Sequence, residues 1–158
     1  MKLFRNRTVW PIFLFVGVLI FAFASRCRAE SELWLEAGAS VVRNEAPILG
    51  FAINWPDAGP TDTDFNLGLH LIGASEGMAN QSALSLMIVD GFGRFDIGLG
   101  VCLLHHTDSR NGSRANFALS VAYRFGGKKN SVRARHCSNA GQTDVNRGLD
   151  MALVGRRL

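Results

Sequence analysis

With 158 residues the chain has room for one domain and, once any N-terminal targeting segment is set aside, for no second core. Charged residues make up 19% and hydrophobic residues 47%, an ordinary balance for a globular domain, and the formal net charge of +4 sits at the two ends, in Lys2, Arg5 and Arg7 and again from Arg124 to Arg157. No basic helix interleaved with aromatics, zinc-finger spacing or aromatic RNA-binding signature accompanies that charge, so nucleic acid is set aside as a partner and the phosphates of an anionic lipid surface fit it better.

Residues 1–29 read as a signal peptide. Lys2, Arg5 and Arg7 form a positive n-region, Val9 to Ala24 is an apolar run, and Cys27-Arg28-Ala29 places small residues at the two positions a signal peptidase reads before Glu30. The domain is then residues 30–158, exported to an oxidising compartment. A signal anchor is the rival, because the uncharged run from Thr8 to Ser25 just reaches spanning length. A lipoprotein fits less well, since Arg26 precedes Cys27 where a small residue is wanted. Cleavage removes Cys27 and leaves Cys102 and Cys137, which read as two half-buried thiols or as a pair whose α-carbon separation the sequence does not reveal. There is no CxxC and no metal-like Cys/His spacing, and neither a cofactor nor a metal is expected.

From Glu32 onward the apolar residues recur with the period of strands. Leu33 to Val42 comes first. Ile48 to Trp55 alternates Leu49, Phe51, Ile53 and Trp55 with Ile48, Gly50, Ala52 and Asn54, and a Pro/Asp/Gly cluster from Pro56 to Pro60 ends it. Asp64 to Ala74 sets Phe65, Leu67, Leu69 and Leu71 against Asn66, Gly68 and His70, the last read as an interior side chain. Ser82 to Val89 is followed by Asp90-Gly91-Phe92-Gly93, a tight-turn pattern. The clearest alternation has Phe95, Ile97, Leu99, Val101 and Leu103 on one face and Asp96, Gly98, Gly100 and Cys102 on the other. A polar loop, His105 to Ser113, leads to a sixth stretch with Phe117, Leu119, Val121, Tyr123 and Phe125 in phase. Val132 to Ser138 and Leu149 to Arg157 complete the series.

These make about eight strands of roughly 8 to 11 residues, the length a tilted strand needs to cross a bilayer core. One face of each is greasy; the other is mainly Gly, Ala, Ser and Asn, which suits the inside of a narrow closed barrel. The expected fold is therefore all-β, an eight-stranded antiparallel outer-membrane β-barrel. A secreted soluble barrel or sandwich is the alternative, and the C-terminal Arg156-Arg157-Leu158 lacks the aromatic that usually ends an outer-membrane barrel. An even strand number puts both termini on the periplasmic side and the loop from Asn139 to Arg147 outside.

Chemistry concentrates near the C-terminus. His136 and Ser138 lie two apart on one strand and share a face, in phase with Val132 and Ala134 and so toward lipid, while Arg133, Arg135 and Cys137 take the other face. Asp150 opens the next strand, and an antiparallel hairpin can bring it beside His136, within about 5 Å. A serine hydroxyl needs a neighbouring imidazole to take its proton, and the imidazole needs an acid to fix its tautomer. The side chain of Asn139 and the backbone N–H of Gly141 are candidate donors to the oxyanion. By themselves a His-x-Ser pair is more often incidental, and Asn139-Ala140-Gly141 and Asn146-Arg147-Gly148 also read as turn residues. His105 and His106 with Asp108 form another cluster, able to bind a phosphate or a metal, or simply an exposed loop pair.

The segment from Tyr123-Arg124-Phe125-Gly126 through Arg135-His136-Cys137-Ser138-Asn139-Ala140-Gly141 to Asn146-Arg147-Gly148-Leu149-Asp150 closely resembles the outer-membrane lipid A 3-O-deacylases, whose His-x-Ser-Asn-Ala block is followed by Asn-x-Gly and an acid on an eight-stranded barrel. Gly91-Phe92-Gly93-Arg94-Phe95-Asp96-Ile97-Gly98 is similar, less specifically. The resemblance implies a serine esterase that removes a 3-hydroxyacyl chain from lipid A in the outer leaflet. His136 would be the base, Ser138 the nucleophile, Asp150 the acid, and Asn139 with Gly141 the oxyanion site. It departs from the family at Asp150, where glutamate is more common, and at Cys137, commonly an aromatic. Lipid A and the membrane are the implied partners, and a homodimer is left open. A non-enzymatic structural or adhesin-like barrel that merely keeps the turn residues is the competing reading.

Overall fold

The computed structural model describes residues 31–41, 46–60, 63–74, 80–107, 112–139 and 148–158; the expected signal segment, Asp108 and Gly141 lie outside them. Eight strands follow one another: β1 (Glu32–Ser40), β2 (Pro47–Trp55), β3 (Asp64–Ile72), β4 (Gln81–Phe92), β5 (Phe95–Leu104), β6 (Ala115–Phe125), β7 (Asn130–Ser138) and β8 (Leu149–Arg157). Each pairs antiparallel with its sequence neighbour, and β8 closes on β1 from Trp34↔Arg157 to Ser40↔Met151, so no edge is left. The eight-stranded antiparallel barrel expected from the alternation is the observed fold. One boundary differs: Asp90 and Gly91 do not turn but stay paired, with Ile97 and Asp96, and the two-residue turn falls at Gly93-Arg94 between Phe92 and Phe95. Gly93 supplies the positive φ, 67°, that this turn takes.

The apolar sets point outward. Leu49, Phe51, Leu71, Leu99, Val101, Phe117, Leu119, Val121 and Val154 are all exposed, Leu99 at 64%. Leaving so many large side chains in water forfeits about 1.5–3 kcal/mol apiece, which is why a wall of this kind belongs in hydrocarbon. Phe92, Phe95, Tyr123 and Phe125 cluster at the end opposite the 139–148 connection, with the rings of Phe95 and Tyr123 centred 5.1 Å apart. They have the composition and placement of an interfacial aromatic girdle.

The inside is polar and tightly filled. Glu36, fully buried on β1, accepts from His70 on β3 across 2.7 Å and lies 2.9 Å from an Arg133 guanidinium nitrogen on β7. Arg135 donates to Ser85 Oγ at 2.7 Å and to His70 Nδ1 at 3.4 Å. That assigns the His70 proton to Nε2, where it is donated to Glu36. Gly68 makes room for the cluster, since a Cβ there would come within 2.9 Å of both Arg135 Nη1 and the His70 ring. A second group, Arg124 bonded to Asp96 and stacked 5.8 Å over the Trp34 ring, fills the opposite end. The interior also carries Met87, Leu104, Met151 and the two thiols Cys102 and Cys137, both buried and unbridged. The strands that bear them flank β6, and the two thiols approach each other across it closely enough to share a hydrogen bond.

Candidate active site

The β7–β8 hairpin presents the candidate residues at the barrel end where β1, β3, β5 and β7 finish. Its register places His136 directly opposite Asp150, and Ala134 opposite Ala152. Because directly opposed side chains in an antiparallel pair are nearest neighbours, a short acid reaches the ring. His136 Nδ1 and Asp150 Oδ1 are 2.7 Å apart. The backbone carbonyl of Asp150 accepts a bond from Val41 N at 3.0 Å, which fixes the β8 residue against the end of β1.

Both groups lie on the outer wall. His136 is 45% and Asp150 29% exposed, in phase with the exposed Val132, Ala134, Ala152 and Val154, whereas Arg133, Arg135 and Cys137 are buried inside. Ser138 shares the face of His136 one step nearer the rim and is half-buried. Its partner on β6 is Phe117, 61% exposed, and that of His136 is Leu119, so an apolar wall runs beside the polar pair. With Nδ1 committed to Asp150, the ring's Nε2 is the nitrogen left to serve a hydroxyl. Asn139 follows Ser138 and is fully buried, engaged within the protein, whereas Gly141 is outside the described residues.

Gly148, which the sequence showed only as turn chemistry, packs against the His136 ring. Its φ is +69°, and a Cβ there would stand 2.7 Å from His136 Cε1 and 3.3 Å from Nδ1. The imidazole is thus held between the Asp150 carboxylate and bare glycine backbone. Nothing in Asn-Arg-Gly spacing reveals this; only the folded hairpin lays residue 148 on the ring.

The family model for lipid A 3-O-deacylase (PagL) matches residues 50–155, from the second strand through most of the last. The chain belongs to the lipid A 3-O-deacylase family. Its fold is also that of a solved structure, described as the crystal structure of the outer membrane enzyme PagL, with a TM-score of 0.60, 22% identity, and coverage of 80% of this chain and 98% of that one. Among curated protein sequences none matches significantly. The matched span includes His136, Ser138, Gly148 and Asp150, so the contact between glycine and imidazole falls inside the region this deacylase shares with its family.

A first expected result concerns that contact. Gly148→Ala strains the backbone and drives a methyl group into the imidazole, so deacylation should fall about 100-fold, the scale that ångström-level misplacement of a catalytic group produces. The barrel should stay folded, because residue 148 lies outside the strands. Heat-modifiable gel migration reports the fold and fatty-acid release reports the chemistry. Retained activity in a folded variant would show that Gly148 does not hold the ring.

Proposed function

We propose that this deacylase is an outer-membrane serine esterase that hydrolyses the ester of the 3-hydroxyacyl chain at the 3-position of lipid A, with Ser138 as nucleophile, His136 as base and Asp150 as acid. The observation that carries it is the 2.7 Å contact between His136 Nδ1 and Asp150 Oδ1, made on the outer wall beside Ser138 rather than inside the barrel. A charged, hydrogen-bonding pair on a lipid-facing surface is costly, and intramembrane ionisable residues mark function more often than structure. With odd strands ending toward the cell exterior, the pair sits at the outer leaflet, where the acyl chains of lipid A lie against Phe117 and Leu119.

In the reaction Ser138 Oγ attacks the ester carbonyl while His136 Nε2 takes its proton. Asp150 stabilises the resulting imidazolium. Asn139 and the Gly141 N–H are the donors assigned to the tetrahedral oxyanion, a role in which Asn139 has to exchange its partner within the protein for the substrate; one such donor typically supplies about 3 kcal/mol. Collapse transfers the proton to the sugar 3-oxygen, which leaves as a hydroxyl. Water, deprotonated by His136, then releases the 3-hydroxy fatty acid from the serine. Mass spectrometry of lipid A from cells with and without the protein should show a loss equal to one hydroxyacyl group. Unchanged lipid A would count against the reading, and a loss from an amide-linked position would overturn the ester assignment.

A further inference from the structure

At the same end of the barrel as Ser138, three basic side chains stand on the rim of β5 and β6. His105 and His106 follow β5, and Arg114 precedes β6. Their backbones are clamped by Leu104 N to Arg114 O at 2.8 Å, His105 N to Ser82 O at 2.9 Å, and Gln81 Nε2 to His106 O at 3.1 Å. The two rings meet edge to face with centroids 5.5 Å apart and Nδ1 atoms 3.3 Å apart. In such a pair one Nδ1 donates and the other accepts. The accepting ring must then carry its own proton on Nε2, so at least one Nε2–H points away from the pair as a donor, and protonation of the other ring adds a second. Arg114 adds a guanidinium, and among the described residues no ion pair occupies it or either histidine.

This is an anion's environment. Two imidazoles and a guanidinium carried on one rim offer N–H donors and positive charge, the complement of an anion. Position narrows the anion. Arg114 precedes Phe117 by three residues, and Phe117 pairs with Ser138. Strand rise and spacing therefore separate the α-carbons of Arg114 and Ser138 by roughly 11 Å, which the arginine side chain narrows further. A phosphate on the same glucosamine disaccharide as the scissile ester lies within that span.

We infer that His105, His106 and Arg114 form a phosphate subsite that grips the phosphorylated disaccharide of the lipid while its acyl ester lies at Ser138; the inference rests on the deacylase reading above. The subsite fixes the headgroup at the rim, so that one ester among several is delivered to the serine.

The test uses the full-length protein in nanodiscs with lipid A carrying both phosphates and with the same lipid A after enzymatic dephosphorylation. Binding is measured on a Ser138→Ala background and fatty-acid release on the wild type. The Ser138→Ala protein should bind the phosphorylated lipid about tenfold tighter, the scale of a charge-assisted contact. Adding His105→Gln, His106→Gln and Arg114→Gln together should bring both lipids to the weaker affinity. Equal affinity for the two lipids before those changes, or discrimination that survives them, would overturn the subsite. If the wild type released no fatty acid while the phosphate preference held, the deacylase reading would fall and the subsite would stand. Release without any preference would do the reverse.

Discussion

Ser138→Ala is expected to lower fatty-acid release from lipid A by at least about 10⁴-fold, with little change in KM, because the alanine removes the proposed attacking atom and leaves the apolar wall beside it in place. Phe117 and Leu119, the β6 partners of Ser138 and His136, are untouched by it. The companion His136→Ala should be similarly inactive, and the double variant no worse than either, since residues that act as one unit give strongly non-additive losses. Ser131 is the internal control: it lies on the same strand but points into the barrel, fully buried, and Ser131→Ala should leave release unchanged. The wild type and the four variants are to be compared at equal folded concentration, judged by heat-modifiable migration. Wild-type release by Ser138→Ala would place the nucleophile elsewhere and sink the proposed mechanism.

What could be read before folding was what depends on local period. Residues such as Leu99 and Val101 declare their face because a strand turns every second side chain the same way, and the outward set of β5 and β6 was legible residue by residue. The meeting of His136 and Asp150 was legible too, because a hairpin makes sequence neighbours into spatial ones and the register follows from the phase of the two strands. The interior cluster was not. His70 and Glu36 are 34 positions apart, and Arg135 lies 65 from His70 and 50 from Ser85. Periodicity tells which way each points, but only closure of β8 on β1 decides that they meet. The end of β4 is hidden for a related reason: Asp90-Gly91 has turn composition, yet continued pairing with Ile97 and Asp96 outweighs it.

The second large effect is expected at Asp150, where the family more often has glutamate. Asp150→Asn keeps the size but presents an amide, which either fails to hold the imidazolium or binds the ring in the wrong tautomer, and kcat should drop about 10³- to 10⁴-fold. Asp150→Glu separates charge from geometry. The aspartate already reaches Nδ1 at 2.7 Å from a directly opposed position, so an added methylene has to be absorbed somewhere. The ring cannot retreat toward Gly148, whose backbone lies against it, so the longer acid must fold back or tilt the imidazole away from Ser138. Activity should therefore fall about tenfold in the glutamate variant, far less than in the asparagine one, because the charge is retained and only the alignment suffers. Single-turnover release from lipid A, measured side by side for the three proteins, gives the order Asp150, then glutamate, then asparagine. An asparagine variant as active as the wild type would remove Asp150 from the mechanism. A glutamate variant faster than the wild type would mean that the 2.7 Å pair is not the working geometry and that the acid acts from further along its own side chain.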